Sequence, residues 1–213
     1  VSAPLAQGSH TIKATSTDAA GNTSVFSNTN TFTINTVPPP VAIITPANAS
    51  VINDNTPTIN GTTDPNLPVI VSMDGVPFDT VTSDGSGNWT TTYSTPLIDG
   101  PHTVTALATA VNRLTATTSN LFTIDTISPT VVITNPALTY LNNPVLSGIA
   151  GTAETFSRLI ISIDGVPVDT IQMGNSPNWT SDYTGTLPEG PHTITVVATD
   201  PAGNTNSTSK PIV

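Results

Sequence analysis

The sequence predicts an all-β chain built of tandem β-sandwiches, and three observations support this prediction. The first is internal repetition: GPHTVTALAT at Gly100–Thr109 returns as GPHTITVVAT at Gly190–Thr199, and a looser copy, GSHTIKATST, begins at Gly8. The second is that apolar and polar residues alternate with a period of two, as in half-buried antiparallel strands. The third is that clusters of Gly, Pro, Asn and Asp recur about every 8 to 12 residues, which is typical of turns between short strands.

The period of the repeat is close to 90 residues. His102 lies 92 residues after His10 and 90 residues before His192. The same offset of 90 joins Trp89 to Trp179. This period is too long for a solenoid repeat, and it suits whole small domains arranged head to tail.

The composition excludes several classes of function. The chain has 213 residues and a net charge of −10, with only four Lys and Arg residues. So few cations exclude a surface that follows nucleic-acid phosphates, and they disfavour an anionic membrane surface. The chain has no cysteine, so each repeat depends on its own small core. An acidic, Thr-rich tandem array of this kind is typical of a secreted bacterial surface protein.

No apolar run is long enough to span a membrane, and no signal peptide precedes Val1. We therefore expect an interior fragment or a mature product.

Seven alternating runs, each bounded by turn signals, are predicted to form strands in each complete repeat. In the middle repeat they are Val41–Thr45, Pro57–Gly61, Val69–Met73, Phe78–Thr82, Trp89–Tyr93, His102–Thr109 and Thr115–Ile124. In the third repeat they are Val131–Thr134, Pro144–Ala150, Leu159–Ile163, Val168–Gln172, Trp179–Tyr183, His192–Thr199 and Thr205–Ile212. Seven short strands in a domain of this size predict an immunoglobulin-like β-sandwich. The cysteines of antibody domains are missing, so the likeness concerns architecture alone.

Proline clusters mark the predicted domain limits. Pro38–Pro40 and the Ser128-Pro129 pair each follow a predicted last strand and precede a new Val-rich first strand. The predicted domains are 1–37, the C-terminal part of a repeat, and the complete repeats 38–127 and 128–213. Residues 1–37 supply only two strands, which cannot form a sandwich alone. The missing five strands lie upstream in the parent chain, or another chain completes the sheet.

Short motifs in a fixed order resemble those of a known family. They are NDNTPT at residues 53–58, GT at 61–62, DG at 74–75, GNW at 87–89, DGPHT at 99–103, TDAAGNT at 17–23 and TDPAGNT at 199–205. Together they resemble the bacterial Ig-like tandem repeats of giant, biofilm-associated surface adhesins, over essentially the whole chain. The resemblance implies a long extracellular stalk, often exported by a type I system, that holds a distal adhesive tip away from the cell. In several members of the family, calcium at the domain junctions rigidifies the array.

The candidate catalytic residues favour a structural interpretation. His10, His102 and His192 open the sixth strand of their repeats, each without a nucleophile pattern nearby. We expect their rings to bond a neighbouring loop. Trp89 and Trp179 alternate into the sandwich and are predicted to be core residues rather than a sugar-stacking platform. The sequence therefore predicts no enzyme.

The acidic residues suggest a metal site. In an immunoglobulin-like sandwich, the loops after the second, fourth and sixth strands lie at the entrance end of the domain. This places Asp200 and Glu154 of the third repeat beside Asp125, at the exit of the middle repeat. Three converging carboxylates repel one another unless a cation neutralises them, and calcium prefers such oxygen ligands. The alternative is that these acids cap turns and keep loops soluble.

The preceding junction lacks two of these acids. Its equivalent positions hold Asn35, Ala110 and Asp64. The sixth loop of the middle repeat, TAVNR at residues 109–113, also departs from the T-D-x-A-G-N pattern. We expect the Pro38–Pro40 run to act there as a stiff spacer that needs no metal.

Three functions compete at this level. The leading hypothesis is a structural spacer within an adhesin or surface fibre, whose partners are the neighbouring repeats of the same chain. The second is a ligand- or glycan-binding module that uses the entrance-end loops, where Phe156-Ser157-Arg158 departs from the middle repeat. The third is an accessory role beside a secreted enzyme.

Overall fold

A computed structural model describes residues 3–134, 144–150 and 157–213. Within these ranges the chain forms strands, turns and connecting loops only. The described residues therefore include no helix long and apolar enough to cross a membrane. The predicted all-β class is confirmed.

The backbone forms two compact units. One comprises Val1–Ile44, Asn60–Thr91 and Thr105–Ser119, and the other comprises Thr45–Ile59, Thr92–Val104 and Asn120–Val213. The division passes through the strands of the middle repeat and does not follow the predicted domain limits at residues 37 and 127, which stay predictions.

The N-terminal segment contains two strands, β1 (Gly8–Ile12) and β2 (Asn30–Ile34). They pair antiparallel, with His10 opposite Phe32. The rings of these two residues contact each other, with centroids 5.8 Å apart. The sequence predicted two strands in this segment, without bounds; that the segment is the C-terminal part of a repeat stays a prediction.

The middle repeat contains eight strands in two sheets. They are β3 (Val41–Thr45), β4 (Val51–Ile52), β5 (Thr58–Thr63), β6 (Pro68–Met73), β7 (Val76–Thr82), β8 (Asn88–Thr92), β9 (Gly100–Thr109) and β10 (Thr115–Ile124). One sheet has the order β3-β5-β8 and the other the order β4-β10-β9-β6-β7. Seven of the strands match the predicted ones to within two residues at each end. The eighth, β4, was not predicted; it pairs parallel to the end of β10, with Ile52 opposite Ile124.

The third repeat contains seven described strands. They are β11 (Val131–Ile133), β12 (Val145–Ala150), β13 (Arg158–Ile163), β14 (Val166–Gln172), β15 (Asn178–Asp182), β16 (His192–Thr199) and β17 (Thr205–Ile212). Their sheets have the orders β11-β12-β15 and β14-β13-β16-β17. This topology is the predicted immunoglobulin-like sandwich.

The core follows the alternation of the strands. Along β9, Val104, Ala106 and Ala108 are fully buried, while the residues between them are half-buried. The third repeat has a single apolar cluster to which each of its seven strands or their adjoining residues contribute. Its fully buried members are Leu146, Leu159, Ile161, Ile194, Val196 and Ala198. Trp179, which is 2% exposed, lies in the same cluster, with Tyr183 packed against it. The predicted core role of the tryptophans is confirmed.

Candidate functional site

The sixth loop of the third repeat is a tight turn closed by its own aspartate. The Asp200 amide donates to the Asn204 carbonyl (3.0 Å), and the Gly203 amide donates back to the Asp200 carbonyl (3.2 Å). Gly203 has a φ of 93°, a conformation that glycine adopts without steric cost. Oδ1 of Asp200 accepts the Asn204 amide and Oδ2 accepts the Asn204 side chain, both at 2.8 Å. The Asp-x-x-Gly-Asn sequence thus specifies one rigid turn.

The same turn forms twice more in the chain. At Asp18–Asn22 the corresponding side-chain bonds are both 2.9 Å, and at Asp84–Asn88 they are 2.8 and 3.4 Å. These bonds hold the pKa of Asp18 below its ordinary value, chiefly through the Asn22 side chain, and that of Asp84 below it, chiefly through the Asn88 amide. Asp18 and Asp84 therefore cap their turns, which was the alternative interpretation of the acidic residues.

The turn of the third repeat contacts the end of the middle repeat. Besides its bond to Asp200, the Nδ2 atom of Asn204 donates to the main-chain carbonyl of Asp125 at 2.8 Å. A Cβ placed on Gly203 would also lie 3.8 Å from Nδ2 of Asn53. Asp200 is buried, whereas Asp18, in the same turn of the N-terminal segment, is exposed.

Two of the three predicted calcium ligands thus belong to one junction. Asp200 and Asp125 are joined through Asn204, while Glu154 lies outside the described residues. In the described ranges, no group of three or more His, Cys, Asp or Glu side chains is placed to hold a metal ion. The donor set suits a hard cation: from the described residues each Asp200 oxygen accepts one bond, and a carboxylate oxygen has a second lone pair.

The preceding junction has a contact that the sequence analysis missed. Nδ2 of Asn112, in the loop between β9 and β10, donates to the main-chain carbonyl of Asn35 at 2.9 Å. Asn35, which occupies the position equivalent to Asp125, therefore contacts the middle repeat through its main-chain carbonyl. The Pro40 carbonyl, at the end of the proline run, accepts the hydroxyl of Thr63 at 2.6 Å, a bond within the middle repeat.

The three histidines bond a loop carbonyl four residues earlier, as predicted. The pairs are His10 with Ala6 (2.6 Å), His102 with Ile98 (2.8 Å) and His192 with Pro188 (2.9 Å), each through Nε2. His192 has a second polar partner, because its Nδ1 lies 2.6 Å from Oδ2 of Asp164. Both ring nitrogens of His192 therefore face acceptors. This arrangement favours the doubly protonated ring, because only the imidazolium donates from both nitrogens.

We expect His192 to make the stability of the third repeat depend on pH. The Asp164 carboxylate and then the Pro188 carbonyl raise the pKa of His192 above 6.5. His192 and then the Thr193 amide lower the pKa of Asp164 below 3.8. The histidine contribution is complete below pH 6.5 and is lost as the pH rises through the raised pKa. The aspartate contribution is complete above pH 3.8 and is lost as the pH falls through the lowered pKa.

NMR titration of the ring protons and denaturation from about pH 2 to about pH 9 would measure both effects. Asp164→Asn should return the pKa of His192 towards its ordinary value and flatten the decline in stability. An unchanged His192 pKa in that variant would contradict the assignment.

The fold and its junctions define an array of immunoglobulin-like sandwiches whose successive repeats are in direct contact. A family model for the bacterial Ig-like domain matches residues 45–126 and 129–213. The chain therefore belongs to the bacterial Ig-like domain family, in two tandem copies, as the resemblance of its motifs indicated.

Solved structures of bacterial adhesins match the chain at low identity and with TM-scores below 0.5. One, from the extending region of a large adhesion protein, is a tetra-tandem repeat: 24% identity, TM-score 0.37, covering 97% of this chain and 56% of that one. A Ca²⁺-stabilised adhesin that helps an Antarctic bacterium reach out and bind ice has 21% identity and a TM-score of 0.40, with the same coverage. A third is from a 1.5-MDa bacterial ice-binding adhesin: 18% identity, TM-score 0.41, covering 83% of this chain and 65% of that one. The chain thus spans less than two thirds of each, and a search of curated proteins found no significant match.

Proposed function

We propose that this chain is a spacer segment of a bacterial cell-surface adhesin or surface fibre, without enzymatic activity, that holds a distal adhesive region away from the cell. The observation that supports this function is the tandem pair of Ig-like domains whose junction is bridged by a direct bond, from Asn204 to Asp125. Direct contact between successive domains restricts bending at the junction. A spacer requires this stiffness, because it must hold the distal region away from the cell. The large excess of acidic over basic residues in the chain favours an extracellular, soluble surface.

The spacer function is testable on the purified chain. Small-angle scattering should give a maximum dimension that grows in proportion to the number of repeats, when the full chain is compared with a duplicated version of it. The chain should bind no glycan on an array and no host-cell surface. Saturable binding to a glycan or receptor would instead identify a recognition module, and a compact particle in scattering would contradict the spacer role.

We further propose that calcium rigidifies the second junction through Asp125, Asp200 and Glu154. Support comes from the buried Asp200 carboxylate, which belongs to the turn at this junction and accepts one bond at each oxygen from the described residues. When bound, the ion would neutralise the carboxylates, and its coordination by oxygens of both repeats would tie the two repeats together. The main-chain oxygen of Asp125 is a further oxygen at the same place.

Calcium should bind with a dissociation constant of about 0.1–1 mM, as expected of extracellular modules. Calorimetry would measure the affinity, and scattering with calcium and with chelator would measure the stiffening. Asp200→Asn keeps an oxygen for the Asn204 amide but removes the charge, so it should weaken binding strongly. Asp18→Asn makes the same change in the matched turn that has no described junction, and should leave binding unchanged. No heat of binding, or equal effects of the two variants, would contradict the proposed site.

A further inference from the structure

Both junctions contain the same hydrogen bond, and it is made from two different loop positions. Asp125 directly follows the last strand of the middle repeat, and Asn35 directly follows the last strand of the N-terminal segment. Each offers its main-chain carbonyl to an asparagine amide from the next repeat, at 2.8 and 2.9 Å. At the offset of 90, however, the position equivalent to Asn204 is Leu114, and Asn112 corresponds to Ala202. Both junctions therefore have this bond, although its donor occupies a different position in the loop of each repeat.

Asn112 also replaces the aspartate of the turn. Its Oδ1 accepts the Leu114 amide at 3.1 Å, in the place where Oδ1 of Asp200 accepts the Asn204 amide. The backbone turn is the same, since the Ala110 amide donates to the Leu114 carbonyl (2.8 Å) and the Arg113 amide donates to the Ala110 carbonyl (2.9 Å). Arg113 has a φ of 66°, in the conformation that Gly203 adopts in the third repeat. Asn112 alone thus makes both bonds that Asp200 and Asn204 make in the third repeat: it caps the turn and it donates to the preceding repeat.

We propose that this asparagine-to-carbonyl bond is a metal-independent latch that orients each repeat on the one before it. Its partner is the main-chain carbonyl of the residue that follows the last strand of a preceding repeat of this kind. A main-chain acceptor is present whatever the side chain there, which explains why Asn35 and Asp125 serve equally well. The first junction makes the bond without the aspartate of the turn, so the latch requires neither a carboxylate nor a cation. The biological role of the latch rests on the proposed spacer function. The existence of the latch does not.

Asn112→Asp tests the first junction in the full chain, with chelator present throughout. The aspartate keeps an oxygen to cap the Leu114 amide, but it has no hydrogen to donate to the Asn35 carbonyl. Residual dipolar couplings measure whether two parts of a chain share one alignment tensor. In the wild-type protein we expect β1 and β2 to share the tensor of the middle repeat, and in Asn112→Asp we expect that common tensor to be lost. The couplings within the middle repeat should still fit its own fold.

Asn204→Ala tests the second junction, and Asn22→Ala is its matched control. Both substitutions remove the amide-to-aspartate bond within the same Asp-x-x-Gly-Asn turn. Among the described residues, the Asn22 side chain donates only to Asp18, whereas Asn204 also donates to Asp125. Asn204→Ala should therefore abolish the common alignment of the middle and third repeats, and Asn22→Ala should leave it intact.

The latch is overturned if Asn112→Asp and Asn204→Ala keep a common tensor in chelator, or if Asn22→Ala disturbs the second junction as much as Asn204→Ala does. A wild-type chain whose repeats align independently in chelator, and together only with calcium, would also overturn it while supporting the calcium site. Glycan binding by the chain would contradict the spacer function and leave these alignment results unaffected.

Discussion

Trp179→Ala should lower the free energy of unfolding of the third repeat by about 3–5 kcal/mol, because it removes a large side chain from the centre of a small core. Trp179 is 2% exposed and lies in one apolar cluster with Leu146, Leu159 and Ile194. Trp89 is buried to the same extent, so Trp89→Ala should cost the middle repeat a similar amount. Domains of this size have only about 5–15 kcal/mol of stability in total, so each variant should be close to unfolding.

Chemical denaturation followed by NMR would resolve the two repeats. The chain has two tryptophans, so the fluorescence of the remaining one reports on the unmutated repeat and serves as an internal control. Trp179→Phe is the matched variant. In the described structure the indole Nε1 of both tryptophans is buried without a hydrogen-bond acceptor. Phenylalanine therefore loses ring volume but no bond, and should cost clearly less than alanine. A Trp179→Ala protein that unfolds like the wild type would refute the core assignment.

Much of the fold was predictable because its signals are local. Alternation places Val104, Ala106 and Ala108 on one face of β9, and turn residues mark its ends, so the strand follows from neighbouring residues alone. The two-residue strand β4 carries no alternation. Its pairing with β10 depends on residues more than 70 positions away, Ile52 and Ile124, and only the folded chain reveals it.

The candidate site was predictable in part for a related reason. The order of loops in an immunoglobulin-like sandwich predicts that the sixth loop of the third repeat lies near the end of the middle repeat, and Asn204 of that loop bonds the main-chain carbonyl of Asp125. Asn204, whose side chain makes the contact, is a neutral amide donor, so the pattern of charged residues does not reveal it. Asn112 gives no sequence signal, since it is out of register with Asn204 and reaches Asn35 only after the turn has formed. The pairing of His192 with Asp164 likewise joins the first residue of β16 to the turn between β13 and β14, 28 residues earlier, and no local sequence pattern predicts it.

Gly148→Ala should destabilise the third repeat by roughly 1–3 kcal/mol or more, because no space exists for a methyl group. Gly148 lies directly opposite Trp179 in the pairing of β12 with β15. A Cβ at Gly148 would overlap the Trp179 ring and the main-chain carbonyl of Val132. Neither neighbour can move freely, since one is a buried ring and the other is backbone. Gly61→Ala should act in the same way on Trp89 in the middle repeat.

Gly174→Ala is the matched control, because a Cβ there meets no atom within 4 Å and the backbone is outside the left-handed region. It should be neutral or stabilise the repeat by about 0.4–1 kcal/mol, through a less flexible unfolded chain. A double-mutant cycle then separates the two neighbours of Gly148. If the ring is the main obstacle, Gly148→Ala should cost much less in a Trp179→Ala background, whereas a clash with the Val132 carbonyl would persist there. A Gly148→Ala protein as stable as Gly174→Ala would show that the close packing of tryptophan on glycine does not limit this core.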